Sequence, residues 1–250
     1  MIVFVGGVHR SGTTLVARAL AAHPDASGLV DTGVPEDEGQ HLQSVYPTGE
    51  THGGPGRFAL DPAAHLTEAD AGADHADRLR AAWDPYWDTT RAVLVEKSPP
   101  NLVRFRYLSA VFPDARFVAV VRHPVPVVLA TFKMAPPDTS VHTVLRNWVV
   151  AHETFRDDEG HLARVRVVRY EDFVAQPASV LDELHRFVGL PPRATDLDIR
   201  PDRDAQYSRQ WRAATGRASL RRHFLARRYD GRVRALGFGY SLRDLPGAAD

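Results

Sequence analysis

The junction between an apolar run, 1-MIVFV-5, and 6-GGVHRSGTTL-15 constrains the fold more than any other stretch of the chain. Set beside the phosphate-cradling pattern G-x-x-x-x-G-K-[ST], Gly7 and Gly12 take the glycine places and Thr14 the hydroxyl place, whereas Thr13 stands where the lysine belongs. Such a loop grips an anion through inward-pointing backbone N–H groups and the positive end of the following helix, and neither needs the lysine. The missing lysine would serve the β- and γ-phosphates of a nucleoside triphosphate. The stretch therefore predicts a strand, an anion-binding loop and a helix, and leaves open which phosphate is held.

The remainder continues the alternation. Thr13 to His23 reads as a helix ended by Pro24, with Leu15, Ala19 and Leu20 on one face. From Ser27 to about Pro62 the chain is rich in Gly, Pro, Asp and Thr without periodicity, a long loop of the kind that carries function. A helical stretch over 74–90 precedes the apolar strand 92-AVLVE-96, followed by a helix over 101–112 and the strand 116-RFVAVV-121. A short helix after Pro124, a longer one over 141–159, the strand 165-VRVVRY-170 and a helix over 177–188 complete the pattern. This is an α/β chain: a P-loop-containing three-layer α/β/α fold around a central parallel sheet, read as one domain over 1–250. Ligands in such folds sit beyond the carboxyl ends of the strands. Gly7 to Ser11, Glu96 to Ser98, Arg122 to His123 and Tyr170 to Asp172 are thus expected on a common edge.

Composition narrows the chemistry. The absence of cysteine excludes disulfides, thiolate catalysis and Cys-ligated zinc. Acidic and basic residues balance at 31 each, which gives no case for bulk nucleic-acid binding. No apolar run approaches the ~20 residues a membrane crossing needs, and the N-terminus has no basic leader, so a soluble cytoplasmic chain is expected. The arginine series 221-RRHFLARRYDGRVR-234 is either a solvated helical face or a local anion site. Only Lys97 and Lys133 are lysines, which raises for each the question of whether a compact ammonium is needed there.

A magnesium–triphosphate site normally carries an aspartate at the end of an apolar strand. Here 116-RFVAVV-121 ends in Arg122, whose guanidinium suits a bare phosphate monoester without metal. A nucleotide with a short 5′ anion and a second phosphate fits better than ATP. The blocks 5-VGGVHRSGTTLVARALAAHPD-25, 94-LVEKSPPNLVRFRYLSAVFPDARFVAVVRHP-124 and 165-VRVVRYEDFVAQP-177 resemble, in order, the sulfotransferases that use 3′-phosphoadenosine 5′-phosphosulfate (PAPS), especially the bacterial small-molecule enzymes and the tyrosylprotein sulfotransferases.

That resemblance implies a sulfuryl donor, PAPS, released as adenosine 3′,5′-bisphosphate, with no metal. Arg10, Ser11, Gly12, Thr13 and Thr14 would bind the 5′-phosphosulfate, Arg122 the 3′-phosphate, and Lys97 would be the catalytic cation. Tyr170 matches a nucleotide-contacting position and is a candidate for stacking the adenine; Trp148 is assigned to packing. Arg209 and Arg212 are candidates to complete the 3′-phosphate grip. The family's serine eight positions beyond the arginine is here Ala130, so the hydroxyl is absent unless Thr131 turns in. For the general base, 35-PEDEGQHLQ-43 offers Glu38 and His41, three apart and on one face of a helical turn, with Glu36 as a spare carboxylate. His9 and His123 are read as shape or hydrogen-bonding residues. The expected reaction is sulfuryl transfer to a hydroxyl of a small-molecule acceptor, a biosynthetic metabolite in a bacterial setting. A P-loop small-molecule kinase is the alternative, opposed by Thr13 and Arg122.

Overall fold

Alternate residues of the first strand go to opposite sides of the sheet. Ile2 and Phe4 enter one core, and Val3 and Val5 enter another. The same division runs through Leu94 against Val93 and Val95, and through Phe117, Ala119 and Val121 against Val118 and Val120. Strands apolar on both faces must be covered on both, and burying each such side chain contributes ~1.5–3 kcal/mol. The computed structural model describes residues 1–194, 197, 199 and 203–245. Within them β1 (Ile2–Gly7), β2 (Ala26–Gly28), β3 (Val93–Lys97), β4 (Arg116–Val121) and β5 (Val165–Arg169) form one parallel sheet in the order β2-β3-β1-β4-β5.

Helices α1 (Thr13–Ala21) and α7 (Pro177–Phe187) cover one face through Val16, Leu20, Leu181 and Leu184. The other face is covered by α2 (His75–Trp83), α3 (Phe105–Val111), α5 (Val141–Glu159) and α9 (Gly216–Ala235), which bring Trp83, Leu108, Trp148 and Tyr229 into the larger core. This is the expected three-layer arrangement. The remaining helices α4 (Pro124–Phe132), α6 (Tyr170–Ala175) and α8 (Arg203–Arg212) lie around the carboxyl edge of the sheet. Among the described residues no helix is long and apolar enough to cross a membrane.

Three readings need correction. The loop over 27–62 is not structureless: β2, 26-ASG-28, opens it, and a series of 3₁₀ turns follows, including Gly39–His41, Glu50–His52 and Phe58–Leu60. Three small residues carry no strand signature of their own; pairing Ala26 with Val93 makes them one. The helix expected over 74–90 ends at Trp83, because Pro85 diverts the chain into a 3₁₀ turn over Asp84–Tyr86. The helix expected over 101–112 starts only at Phe105, after the 3₁₀ segment Pro99–Val103.

Register fixes what stands beside the glycine-rich loop. Val5 pairs with Lys97 and Gly7 with Val120, so the loop leaves the sheet with the end of β3 on one side and that of β4 on the other.

Candidate active site

The loop between β1 and α1 is shaped by two left-handed residues, Arg10 at φ 68° and Gly12 at φ 102°. Gly12 caps α1 without a side-chain hydrogen bond, and no acidic residue occupies the first turn, so the positive end of the helix is left open to an external anion. Ser11 is fully buried, and its Oγ has no partner among the described residues. Close packing makes the glycines obligatory: a Cβ on Gly7 would stand 2.5 Å from Ser11 Oγ, and one on Gly12 would stand 2.5 Å from the Tyr170 ring.

Arg122 closes this half of the site. Its Nη1 donates to the Arg10 carbonyl at 2.8 Å, and its guanidinium lies 4.0 Å from the centroid of the Tyr170 ring. Tyr170 is thereby set between Gly12 and Arg122, a position in which its ring braces the loop. Trp148 donates its indole N–H to the Arg122 carbonyl at 3.1 Å from within the core. The cleft, about 460 Å³, is walled by Arg10, Gly12, Thr13 and Thr14, by Arg122, Ala130 and Tyr170, and by Glu36 and Glu38 from the long loop.

The other half is centred on a buried ion pair: Lys97 Nζ lies 2.9 Å from Glu38 Oε1, and both side chains are more than nine-tenths buried. Gln40 Nε2 donates to Glu38 Oε2 at 2.6 Å. His41 Nε2 lies 3.8 Å from the same oxygen, so the two candidate bases are neighbours, across a 3₁₀ turn and not the α-turn their spacing suggested. Burial, then the charges of Lys97, His41 and Arg10, hold His9 down at about 3, which keeps it neutral. Behind the pair stands Glu96, a fully buried carboxylate. Burial raises it to about 7 against the hydrogen bonds of Ser98 and Asn101. A second, open groove of about 530 Å³ beside β2 has Lys97 on its wall but none of the glycine-rich loop.

Other candidates fall elsewhere. Thr131 is buried and gives its hydroxyl to the His9 carbonyl at 3.0 Å, so it does not supply the hydroxyl absent at Ala130. Arg209 and Arg212 are exposed on α8, and the residues which that helix brings to the cleft are Gln206 and Tyr207. Tyr207 carries the second lysine: Lys133 Nζ lies 5.0 Å from its ring centroid. Trp211, on the same helix, is buried in the larger core. His123 caps α4, accepting from Val125 N–H and donating Nε2–H to the Ser241 carbonyl. Sequence reasoning put Ser98 on the common edge without a role and passed over Gln40 and Asn101; the run 96-EKSPPN-101 ending an apolar strand was the available signal.

Comparison with known proteins agrees with this geometry. A model of the sulfotransferase family matches residues 3–196. Protein-tyrosine sulfotransferase 1 of Danio rerio is 29% identical over 202 residues, covering 76% of this chain and 53% of its own length, so the chain spans about half of that curated relative. Among solved structures, the sulfotransferase domain of the Synechococcus PCC 7002 olefin synthase is similar with a TM-score of 0.51 and 23% identity, covering 86% of this chain and 88% of its own. A sulfotransferase from Alicyclobacillus acidocaldarius is similar with a TM-score of 0.53 and 17% identity, covering 94% of each chain. The two structures speak for the fold; the match over most of the chain speaks for the family. The chain belongs to the sulfotransferase family.

Proposed function

We propose that this protein transfers the sulfuryl group of PAPS to a hydroxyl of a small-molecule acceptor. The observation that carries the reading is the buried Lys97–Glu38 pair, set against a cleft whose far wall is an uncapped helix N-terminus and Arg122. A cation, a carboxylate and an anion cradle are the parts sulfuryl transfer needs.

The residues present fit the donor: Gly12, Thr13 and Thr14 bring the open helix end to the cleft and Arg122 offers a guanidinium to a phosphate monoester, whereas Ser11, expected beside them, is buried behind the loop with its Oγ toward Gly7. PAPS supplies an activated sulfuryl group on a phosphate leaving group. Lys97 holds charge where the bridging oxygen becomes anionic, and Glu38 takes the proton of the attacking hydroxyl. Lys97 would meet the charge of the leaving phosphate, and Glu38, now held by Lys97 at 2.9 Å, would be free to act as base once the ammonium engages that phosphate. His41, 3.8 Å from Glu38 Oε2, is the alternative base. A neutral His9 adds no competing cation at the loop.

The kinase alternative lacks support at Thr13, which occupies the lysine place, and at Arg122, which occupies the place of a magnesium-binding aspartate. Calorimetry separates the two. Adenosine 3′,5′-bisphosphate should bind equally with EDTA or magnesium, and ATP weakly in both. Magnesium-dependent ATP binding without bisphosphate binding would overturn the proposal.

A further inference from the structure

Glu96 does not line the cleft, yet three donors converge on its carboxylate. Oε1 accepts the Gly39 N–H at 3.0 Å and the Ser98 hydroxyl at 2.6 Å, and Oε2 accepts from Asn101 Nδ2 at 2.5 Å. The Ser98 Oγ in turn accepts the Gln40 N–H at 3.0 Å. Gly39 is held from the opposite side as well, since Trp83 Nε1 donates to its carbonyl at 3.0 Å. There is no slack in this arrangement: a Cβ on Gly39 would stand 2.6 Å from Glu96 Oε1 and 2.9 Å from Trp83 Nε1.

A buried carboxylate is an expensive way to anchor a loop, because an ionised group leaves water only at a cost of several kcal/mol. An apolar contact would tether the segment more cheaply, but it would not fix the direction of two successive amides. Those two amides belong to the residues directly after Glu38, and Gln40 also reaches back to Glu38 Oε2. The strand that carries Glu96 carries Lys97 as its next residue. One short strand end thus places the cation and, through 57 residues of sequence separation, the carboxylate that meets it.

We propose that Glu96 is a positioning residue: by holding the Gly39 amide directly and the Gln40 amide through Ser98, it sets Glu38 at hydrogen-bonding distance from Lys97. The inference rests on the catalytic assignment of Glu38 and Lys97 made above. The hydrogen bonds, not the charge, do the positioning. A glutamine can accept the Gly39 N–H with its oxygen, and once the Asn101 amide turns over, exchanging the Nδ2 that now faces Glu96 for an Oδ1 with no partner among the described residues, it can donate its own amide there.

The test compares Glu96→Ala, Glu96→Gln and Ser98→Ala with the unaltered protein. The readouts are amide hydrogen exchange, affinity for adenosine 3′,5′-bisphosphate, and release of that bisphosphate from PAPS with water as the acceptor. In Glu96→Ala, exchange across residues 38–41 should rise at least about tenfold while β4 stays protected. Its turnover should fall roughly 30- to 100-fold, a large part of the contribution of a well-placed general base, with bisphosphate affinity within about threefold. Glu96→Gln should return both readouts to within about fivefold of the unaltered protein, and Ser98→Ala should lose roughly three- to tenfold in turnover.

Unchanged exchange across 38–41 in Glu96→Ala, or unchanged turnover, overturns the proposal. Equal loss in Glu96→Gln and Glu96→Ala also overturns it, because charge and not geometry would then be responsible. A general rise in exchange with loss of bisphosphate affinity reduces Glu96 to a fold-stabilising group. If Glu96→Ala does not fold, Glu96→Gln and Ser98→Ala carry the same comparison. Should the unaltered protein neither bind adenosine 3′,5′-bisphosphate nor release it from PAPS, the sulfuryl-transfer reading fails by itself, and the exchange data still decide whether Glu96 holds the loop.

Discussion

The two walls of the cleft are built differently. On the phosphate side the anion cradle is local, one continuous loop and the helix it opens; only Arg122, just after β4, reaches it from a distance, 112 residues from the Arg10 carbonyl it meets. On the carboxylate side almost every essential contact is distant in sequence: Gly39 to Glu96, Gln40 to Ser98, and Lys97 to Glu38, separated by 57, 58 and 59 residues. Anion binding is largely a property of backbone amides, so glycines at the right spacing can encode it. Placing a base against a cation is a property of side chains, and here it needs a network assembled from three segments.

That contrast predicts that the walls can be damaged separately, and the largest effect should come from the carboxylate side. Lys97→Met is expected to lower kcat by about 10²–10³ with little change in bisphosphate affinity, since the ammonium acts when charge develops on the leaving group. Steady-state rates at saturating PAPS beside calorimetric binding check this; normal turnover would remove Lys97 from the reaction. On the phosphate side the effect should appear in binding. Arg122→Ala is expected to weaken adenosine 3′,5′-bisphosphate by roughly 2–4 kcal/mol, the order for loss of a buried charged contact. Titration calorimetry reads it directly, and an unchanged affinity would place the 3′-phosphate elsewhere.

A smaller effect sharpens the comparison through stability. His152 is fully buried against Trp148, and burial holds its pKa down at about 4. Because its folded pKa lies below the unfolded value of about 6.5, its contribution is complete above pH 6.5 and is lost as pH falls from there toward 4. Roughly 2 kcal/mol should be gone by pH 5, seen as a lower denaturation midpoint. His152→Gln should remove this share of the dependence and leave the share owed to His9, whose pKa is held at about 3, without altering either wall; a profile unchanged by the substitution would assign the acid sensitivity to other groups. Smallest of all, Thr131→Val should cost about 1 kcal/mol through the lost bond to the His9 carbonyl. Donor binding should stay within about twofold, since the hydroxyl faces the loop backbone and not the cleft.

The same contrast explains what could be read from residues alone. The strand–loop–helix opening, the parallel sheet and the convergence of Gly7, Lys97, Arg122 and Tyr170 on one edge were legible, because apolar runs and glycine spacing are local signals. Lys97 stood out by rarity. What escaped was the order hidden in 27–62: β2 exists through its pairing with β3, and the turn that presents Glu38 exists because Glu96, Ser98 and Trp83 hold it from distant positions. No window of neighbouring residues contains that information. The α8 contribution was misread for a related reason. Arginines suggested a phosphate grip at 209 and 212, while the turn of α8 that meets the cleft carries Gln206 and Tyr207.

The most direct test of the account is Glu38→Gln, with bisphosphate affinity and turnover of PAPS measured on the same preparation. The substitution keeps the size of the side chain and an oxygen for Gln40 Nε2, and removes the ability to take a proton. The account predicts bisphosphate binding within about threefold of the unaltered protein and turnover reduced by about 10²–10⁴, the usual contribution of a positioned general base. Turnover retained in Glu38→Gln, with the donor still bound, would contradict it.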